Sequence, residues 1–166
     1  SWSRGLGDVY KRQASCTTNA IVPVLSAVDN EFEIDNGHVE TIHSYTNDQN
    51  LIDNYHRKSR RGRAAALNMV ITETGAANAV SQILPNLEGK LSANAIRVPT
   101  PNVSLAILSL YLKKPSDQEK FVEFLKQTAF HSLLKDQIDF TQSAEVVSSD
   151  IVGGRYAGVI DGQATK

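Results

Sequence analysis

The sequence predicts an α+β domain: a mostly antiparallel mixed sheet with helices packed on one face. Three observations carry this. Ile21, Leu25, Val28 and Phe32 recur at helical spacing. Val103 to Leu112 alternates as a strand, with Val103, Leu105, Ile107, Ser109 and Tyr111 on one face and Ser104, Ala106, Leu108, Leu110 and Leu112 on the other. Both faces are largely apolar, so helices should cover one and another subunit the other. Val122, Leu125, Ala129 and Leu133 form a second helical stripe.

The remaining elements follow in order. The first helix should begin between Ser15 and Asn19, with Pro23 tolerable only if it starts late. Asn36-Gly37 reads as a turn, and Val39 to Thr46 as a strand with Val39, Thr41, His43 and Tyr45 on one face. Asn47 to Arg63 is a long polar loop carrying Arg57, Lys58, Arg60, Arg61 and Arg63, and loops of this length are usually functional. Gly75 to Leu84 reads as a short helix stopped by Pro85, and Leu91 to Val98 as a strand ended by Pro99-Thr100-Pro101. Ser116 with Glu119 has the form of a capping box. Strands are expected near Glu145 to Val147 and Arg155 to Ile160, and Asp161-Gly162 is a hairpin signal that the chain does not continue far enough to close. That predicts truncation at this end.

Residues Ser1 to Gln13 (SWSRGLGDVYKRQ) show no helix or strand period and resemble a translated sequencing adapter, so they are read as foreign and set apart from residues 14–166. Gly5-Leu6-Gly7 mimics the start of a dinucleotide fingerprint, but Tyr10 replaces the third glycine. The bulk composition is that of a globular domain: 166 residues, 41% hydrophobic, 21% charged, formal net charge -1. That charge implies no nucleic-acid partner, and no apolar run suggests a membrane span. One cysteine excludes an intrachain disulfide and suits a reducing compartment, so a cytoplasmic enzyme is expected.

That cysteine, Cys16, lies among small hydroxyl residues (Ser15, Thr17, Thr18) at a helix start, where backbone N–H groups and the helix dipole favour the thiolate. The plainer reading is a small buried hydrophobe. Its surroundings decide between them. ASCTTN at 14–19, HSYTNDQ at 43–49, RRGRAAA at 60–66, TGAA at 74–77 and RVPTP at 97–101 occur in the order and at spacings compatible with one family. From Ala14 onward the chain resembles the catalytic domain of phosphorylating glyceraldehyde-3-phosphate dehydrogenase.

The resemblance implies oxidation of glyceraldehyde 3-phosphate to 1,3-bisphosphoglycerate through a hemithioacetal and a thioester, with inorganic phosphate and NAD or NADP. A thiolate that adds to an aldehyde leaves an oxyanion able to expel hydride, and this needs a nucleophile with a base beside it. The resemblance makes Cys16 the nucleophile and His43 the proton-handling partner. It assigns Thr46 and Arg97 to the substrate phosphate, with Asp48 and Arg61 in support, and Ser15, Thr17, Thr74 and Gly75 to the attacking phosphate. It names no cofactor ligand in this chain, because the family's N-terminal dinucleotide-binding domain and its last strand-and-helix region have no counterpart here. The expected reading is therefore a domain of a homotetrameric enzyme, inactive alone. The alternatives are an erythrose-4-phosphate dehydrogenase, which shares ASCTTN but departs at the TNDQ and TGAA positions, and a non-catalytic binding or assembly module.

Overall fold

The computed structural model describes residues 15–166, so the readings of Ser1–Gln13 and of Gly5-Leu6-Gly7 lie outside the described residues. The elements in chain order are α1 (Cys16–Phe32), β1 (Ile34–Ser44), β2 (Val70–Thr72), α2 (Ala76–Ile83), β3 (Leu91–Val98), β4 (Leu105–Leu112), α3 (Gln118–His131), β5 (Ile138–Thr141), α4 (Ser148–Ile151) and β6 (Gly158–Asp161). Single 3₁₀ turns occupy Ser59–Gly62 and Pro85–Leu87.

Four strands form one mixed sheet in the order β2-β3-β1-β4. β1 runs parallel to β3 and antiparallel to β4, and β2 is antiparallel to β3. β5 and β6 form a separate parallel pair. The α+β class and the mixed sheet stand as expected, and two of the three pairings in the larger sheet are antiparallel.

Helices cover one face. Ile21, Leu25 and Val28 of α1 are buried against Ile34 and Val39 of β1, Val80 of α2, Leu125 and Ala129 of α3, and Ile138 of β5. Phe32 closes this cluster edge-on against Phe124, ring centroids 5.0 Å apart. The strand register puts Val39, Ala93 and Leu108 side by side on this inner face. The outer face is open in the single chain: Ile71 is 58%, Leu105 54% and Tyr111 71% exposed.

α1 starts at Cys16, within the expected Ser15–Asn19 range, and Pro23 sits inside the helix; it removes the donor that the Asn19 carbonyl would otherwise take, a cost carried by burial of the ring. Several other local expectations are corrected. Asn36-Gly37 is not a turn. β1 begins at Ile34 and passes through both residues, with a register irregularity between Ile34 and Asn36. Gly37 is needed there for close approach: a Cβ would lie 2.7 Å from the Ser109 carbonyl oxygen. The α3 cap is Asp117, whose carboxylate accepts the Lys120 N–H at 2.8 Å; Ser116 instead donates to the Asp117 carbonyl. α3 ends at His131, so Leu133 lies beyond it and is exposed. No strand forms at Glu145–Val147; Val147 instead precedes α4, and its N–H donates to Asp150. Asp161-Gly162 opens a turn in which the Asp161 carboxylate accepts the Gln163 and Ala164 N–H groups.

Candidate active site

Ser15 starts the site. Its backbone is extended, and its hydroxyl accepts the Thr18 N–H at 3.1 Å, which caps α1. The next residue, Cys16, is therefore the first of the helix, where the unpaired N–H groups gather. It is exposed. Thr17 and Thr18 point inward and are buried.

β1 brings the histidine. Its odd-numbered residues share the helix-covered face, so His43 continues the line of Val39 and Thr41 toward the start of α1. His43 Nε2 lies 3.3 Å from Cys16 Sγ. The His43 hydrogen bond is the main reason the Cys16 thiol falls from its ordinary 9.0 to about 7; burial works against this, while the histidine charge and Thr17 add to it. A thiolate is then well populated at neutral pH.

The parallel register sets Arg97 directly across from His43. Arg97 Nη1 lies 3.0 Å from His43 Nδ1, 3.0 Å from the Ser44 carbonyl oxygen and 3.2 Å from Thr46 Oγ1. Its buried Nε has no partner among the described residues. Burial and the Arg61 charge lower the Arg97 basicity, opposed by Asp48 and Cys16. Arg61 is fixed by three acceptors: the Asp48 carboxylate, Thr72 Oγ1 at 3.1 Å and the Glu73 carbonyl. Partial burial pushes the Asp48 carboxyl up, but hydrogen bonding and charge from Arg61, joined by His56, hold it below its usual value. Arg97 thus stands beside His43, with Arg61 near enough for its charge to act on Arg97 and Asp48 paired to Arg61. That arrangement suits a phosphate monoester.

A second recess borders the starts of α1 and α2 and is lined by neither Cys16 nor His43. Ser15, Thr18, Thr74 and Gly75 line a cavity of about 380 Å³. Thr74 Oγ1 accepts the Ala76 N–H at 3.2 Å at the start of α2. The structure brings Ser15, Thr74 and Gly75 together as the motifs imply, but Thr17 is turned inward and does not line this recess. On the loop side, Thr46 also borders a cavity of about 570 Å³ that neither Cys16 nor His43 lines.

Sequence reasoning missed three contributors. Thr72 aims Arg61 from β2, a strand only three residues long. His56 stands 3.6 Å from Asp48. The Ser44 carbonyl, 2.6 Å from His43 Nδ1, is a backbone group that no motif announces.

A nicotinamide dinucleotide is cradled by a parallel strand–turn–helix–strand crossover with a glycine-rich turn. β2, α2 and β3 form the only described strand–turn–helix–strand run in which a glycine, Gly75, precedes the helix of the unit. β3 returns antiparallel to β2, so the run is not the parallel crossover that cradles a dinucleotide. The described residues do not fit that group. They also hold no cluster of metal-ligating side chains, and no described helix is long and apolar enough to cross a membrane.

Comparison with known proteins bears on the whole. A family model described as "Glyceraldehyde 3-phosphate dehydrogenase, C-terminal domain" matches residues 15–166. A glyceraldehyde-3-phosphate dehydrogenase-like protein of Pseudomonas aeruginosa (strain UCBPP-PA14) is 64% identical over 161 residues, 97% of this chain and 35% of that protein. The glyceraldehyde-3-phosphate dehydrogenase of Mycobacterium avium is 46% identical over 153 residues, 92% of this chain and 44% of that protein. Glyceraldehyde-3-phosphate dehydrogenase 2 of Bacillus subtilis (strain 168) is 44% identical over 152 residues, again 92% and 44%. The chain thus spans between a third and a half of the length of these relatives. With the fold, the motifs and these matches in agreement, the chain belongs to the glyceraldehyde-3-phosphate dehydrogenase family and corresponds to its C-terminal domain.

Proposed function

We propose that this chain supplies the thiol chemistry of a phosphorylating glyceraldehyde-3-phosphate dehydrogenase. The observation that carries the reading is Cys16 Sγ at 3.3 Å from His43 Nε2, beside the Arg97–Arg61 pair. The thiolate adds to the aldehyde carbon of glyceraldehyde 3-phosphate, forming a C–S bond while the carbonyl π electrons move to oxygen. His43 Nε2 lies where it can hydrogen-bond that oxygen and exchange its proton, and the N–H groups at the start of α1 favour the negative form. Arg97 and Thr46 hold the substrate phosphate, and Arg61, fixed by Asp48, adds charge. Ser15, Thr74 and Gly75, with Thr17 behind them, define the place for inorganic phosphate to reach the same carbon.

The hydride acceptor, NAD or NADP, has no platform among the described elements, and no step is assigned to residues here beyond addition, proton handling and phosphate positioning. On this reading the chain alone forms the hemithioacetal and does not oxidise it. The intact enzyme works in the cytoplasm as a homotetramer; family membership supports the assembly, and the open apolar sheet face is consistent with it.

The test uses glyceraldehyde 3-phosphate labelled with ¹³C at the aldehyde carbon. Mixing it with the chain should give a protein-bound hemithioacetal resonance that is absent in Cys16→Ser, with no reduction of added NAD. A spectrum unchanged by the wild-type chain would rule out the proposed addition.

A further inference from the structure

Two donors converge on one backbone carbonyl beside the thiol. His43 Nδ1 lies 2.6 Å from the Ser44 oxygen and donates to it, and Arg97 Nη1 donates to the same oxygen at 3.0 Å. The Ser44 carbonyl therefore aims both the ring that faces Cys16 Sγ and the guanidinium that faces Thr46. A carbonyl can orient two side chains only if its own peptide is held. Ser44 is the last residue of β1, where a strand is prone to fray. What holds it comes from the connection between β3 and β4.

The pairing of β1 with β4 stops at Ile42 and Leu105. One step further, the same register would set His43 against Ser104 and Ser44 against Val103. The ladder ends instead, because Val103 has φ 62°. That is left-handed backbone, which a β-branched residue adopts only under strain. Asn102 Oδ1 steadies it by accepting the Val103 N–H at 2.8 Å. Beyond the turn a side chain takes over from the ladder: Ser104 Oγ accepts the Ser44 N–H at 3.2 Å. The next peptide carries the Ser44 carbonyl itself. It is held at its other end, where the Tyr45 N–H donates to the Thr100 carbonyl at 3.2 Å. Both peptides flanking Ser44 are thus clamped from one short connection. A turn that served only to join β3 to β4 would need neither bond, and a glycine at 103 would make it without strain.

We propose that Ser104 is a positioning residue for the Cys16–His43 pair: it holds the end of β1 so that the Ser44 carbonyl orients the His43 ring, and the left-handed Val103 delivers its hydroxyl to that place. This role rests on the thiol chemistry proposed above for Cys16 and His43. Its effect travels through the backbone. Without the hydroxyl, the Ser44 N–H loses its acceptor and the strand end loosens. The ring is then less well held against Sγ, and the thiol returns part of the way to its ordinary value.

The test compares the wild-type chain with Ser104→Ala and Ser104→Thr. Cys16 alkylation by iodoacetamide is followed from pH 5 to 10, and each protein is also unfolded in urea. Ser104→Ala should raise the alkylation midpoint by about one pH unit and slow alkylation at pH 7 roughly two-fold. Ser104→Thr keeps a hydroxyl and should restore the wild-type midpoint. A hydroxyl that only stabilises the fold would shift the urea transition and leave the alkylation midpoint where it was; that result overturns the inference, as does a Ser104→Thr midpoint as high as that of Ser104→Ala. A wild-type midpoint near 9 overturns the reading of the Cys16–His43 pair itself, and the role of Ser104 with it. Where Ser104→Ala fails to fold, amide exchange in the wild-type chain decides. The Ser44 amide should exchange with deuterium roughly a hundred-fold more slowly than in an unstructured peptide, and exchange at the unstructured rate overturns the inference.

Discussion

Replacing His43 by Asn removes the ring that faces Cys16 Sγ at 3.3 Å, and the consequence can be worked through. The His43 hydrogen bond leads the causes that bring the thiol from 9.0 to about 7, while burial pushes the other way. Without the ring, the thiol should titrate near or above 9. At pH 7 the wild-type thiolate fraction is about one half, and the variant's is about one in a hundred, a loss of roughly fifty-fold. The more basic thiolate is intrinsically the better nucleophile, by roughly six- to ten-fold over two pH units at a Brønsted slope near 0.4–0.5. The net effect at pH 7 is a drop in alkylation rate of roughly five- to eight-fold. Near pH 8 the order reverses, and at roughly pH 9 the variant should react about three- to five-fold faster. The assay is iodoacetamide alkylation followed by intact mass, from pH 5 to 10; a neutral reagent avoids attraction by Arg97 and Arg61. Superimposable pH profiles for wild type and variant would refute the reasoning, and so would a wild-type midpoint near 9.

Three further outcomes are expected. Ser15→Ala removes the α1 cap and should cost about 1 kcal/mol in urea unfolding, with an unchanged slope; no loss would mean that the Thr18 N–H finds another acceptor. Gly37→Ala forces a methyl against the Ser109 carbonyl and the Leu110 side chain, and should destabilise by about 1–3 kcal/mol, read as a lower melting temperature. Thr46→Val leaves Arg97 one acceptor short and removes a hydroxyl from the ester site, and should weaken glycerol 3-phosphate binding by roughly five-fold, about 1 kcal/mol, in a ³¹P titration.

The sequence makes some of this architecture legible and hides the rest for identifiable reasons. α1 is readable because Ile21, Leu25 and Val28 lie on one stripe that the core buries. Its N-terminus is readable because a hydroxyl precedes it, although Pro23 argued for a later start; tertiary burial outweighed one lost hydrogen bond. Asn36-Gly37 carries a turn signal, but the glycine serves the approach of β4, a contact more than seventy residues away in the chain. β2 escapes notice because three residues are too few to display a period. In the site, residue types were legible and partnerships were not. Motifs place a cysteine, a histidine and two arginines in one domain. Only the β1–β3 register shows that Arg97 faces His43, and no motif reveals that both contend for a backbone carbonyl.

The parallel pairing of β1 with β3 also bears on how the chain folds. His43 and Arg97 are 54 residues apart in sequence, and parallel neighbours cannot be joined by a tight hairpin. Closing that loop costs entropy before its contacts repay it, which places the pairing among the slow events of folding. Cys16, His43 and Arg97 therefore meet only once the central strands have docked. A register slip of one residue would turn His43 to the opposite side of the sheet. An activated Cys16 thiol is thus a chemical signature of the completed fold: in a refolding time course, fast alkylation at neutral pH should appear after helical content is regained.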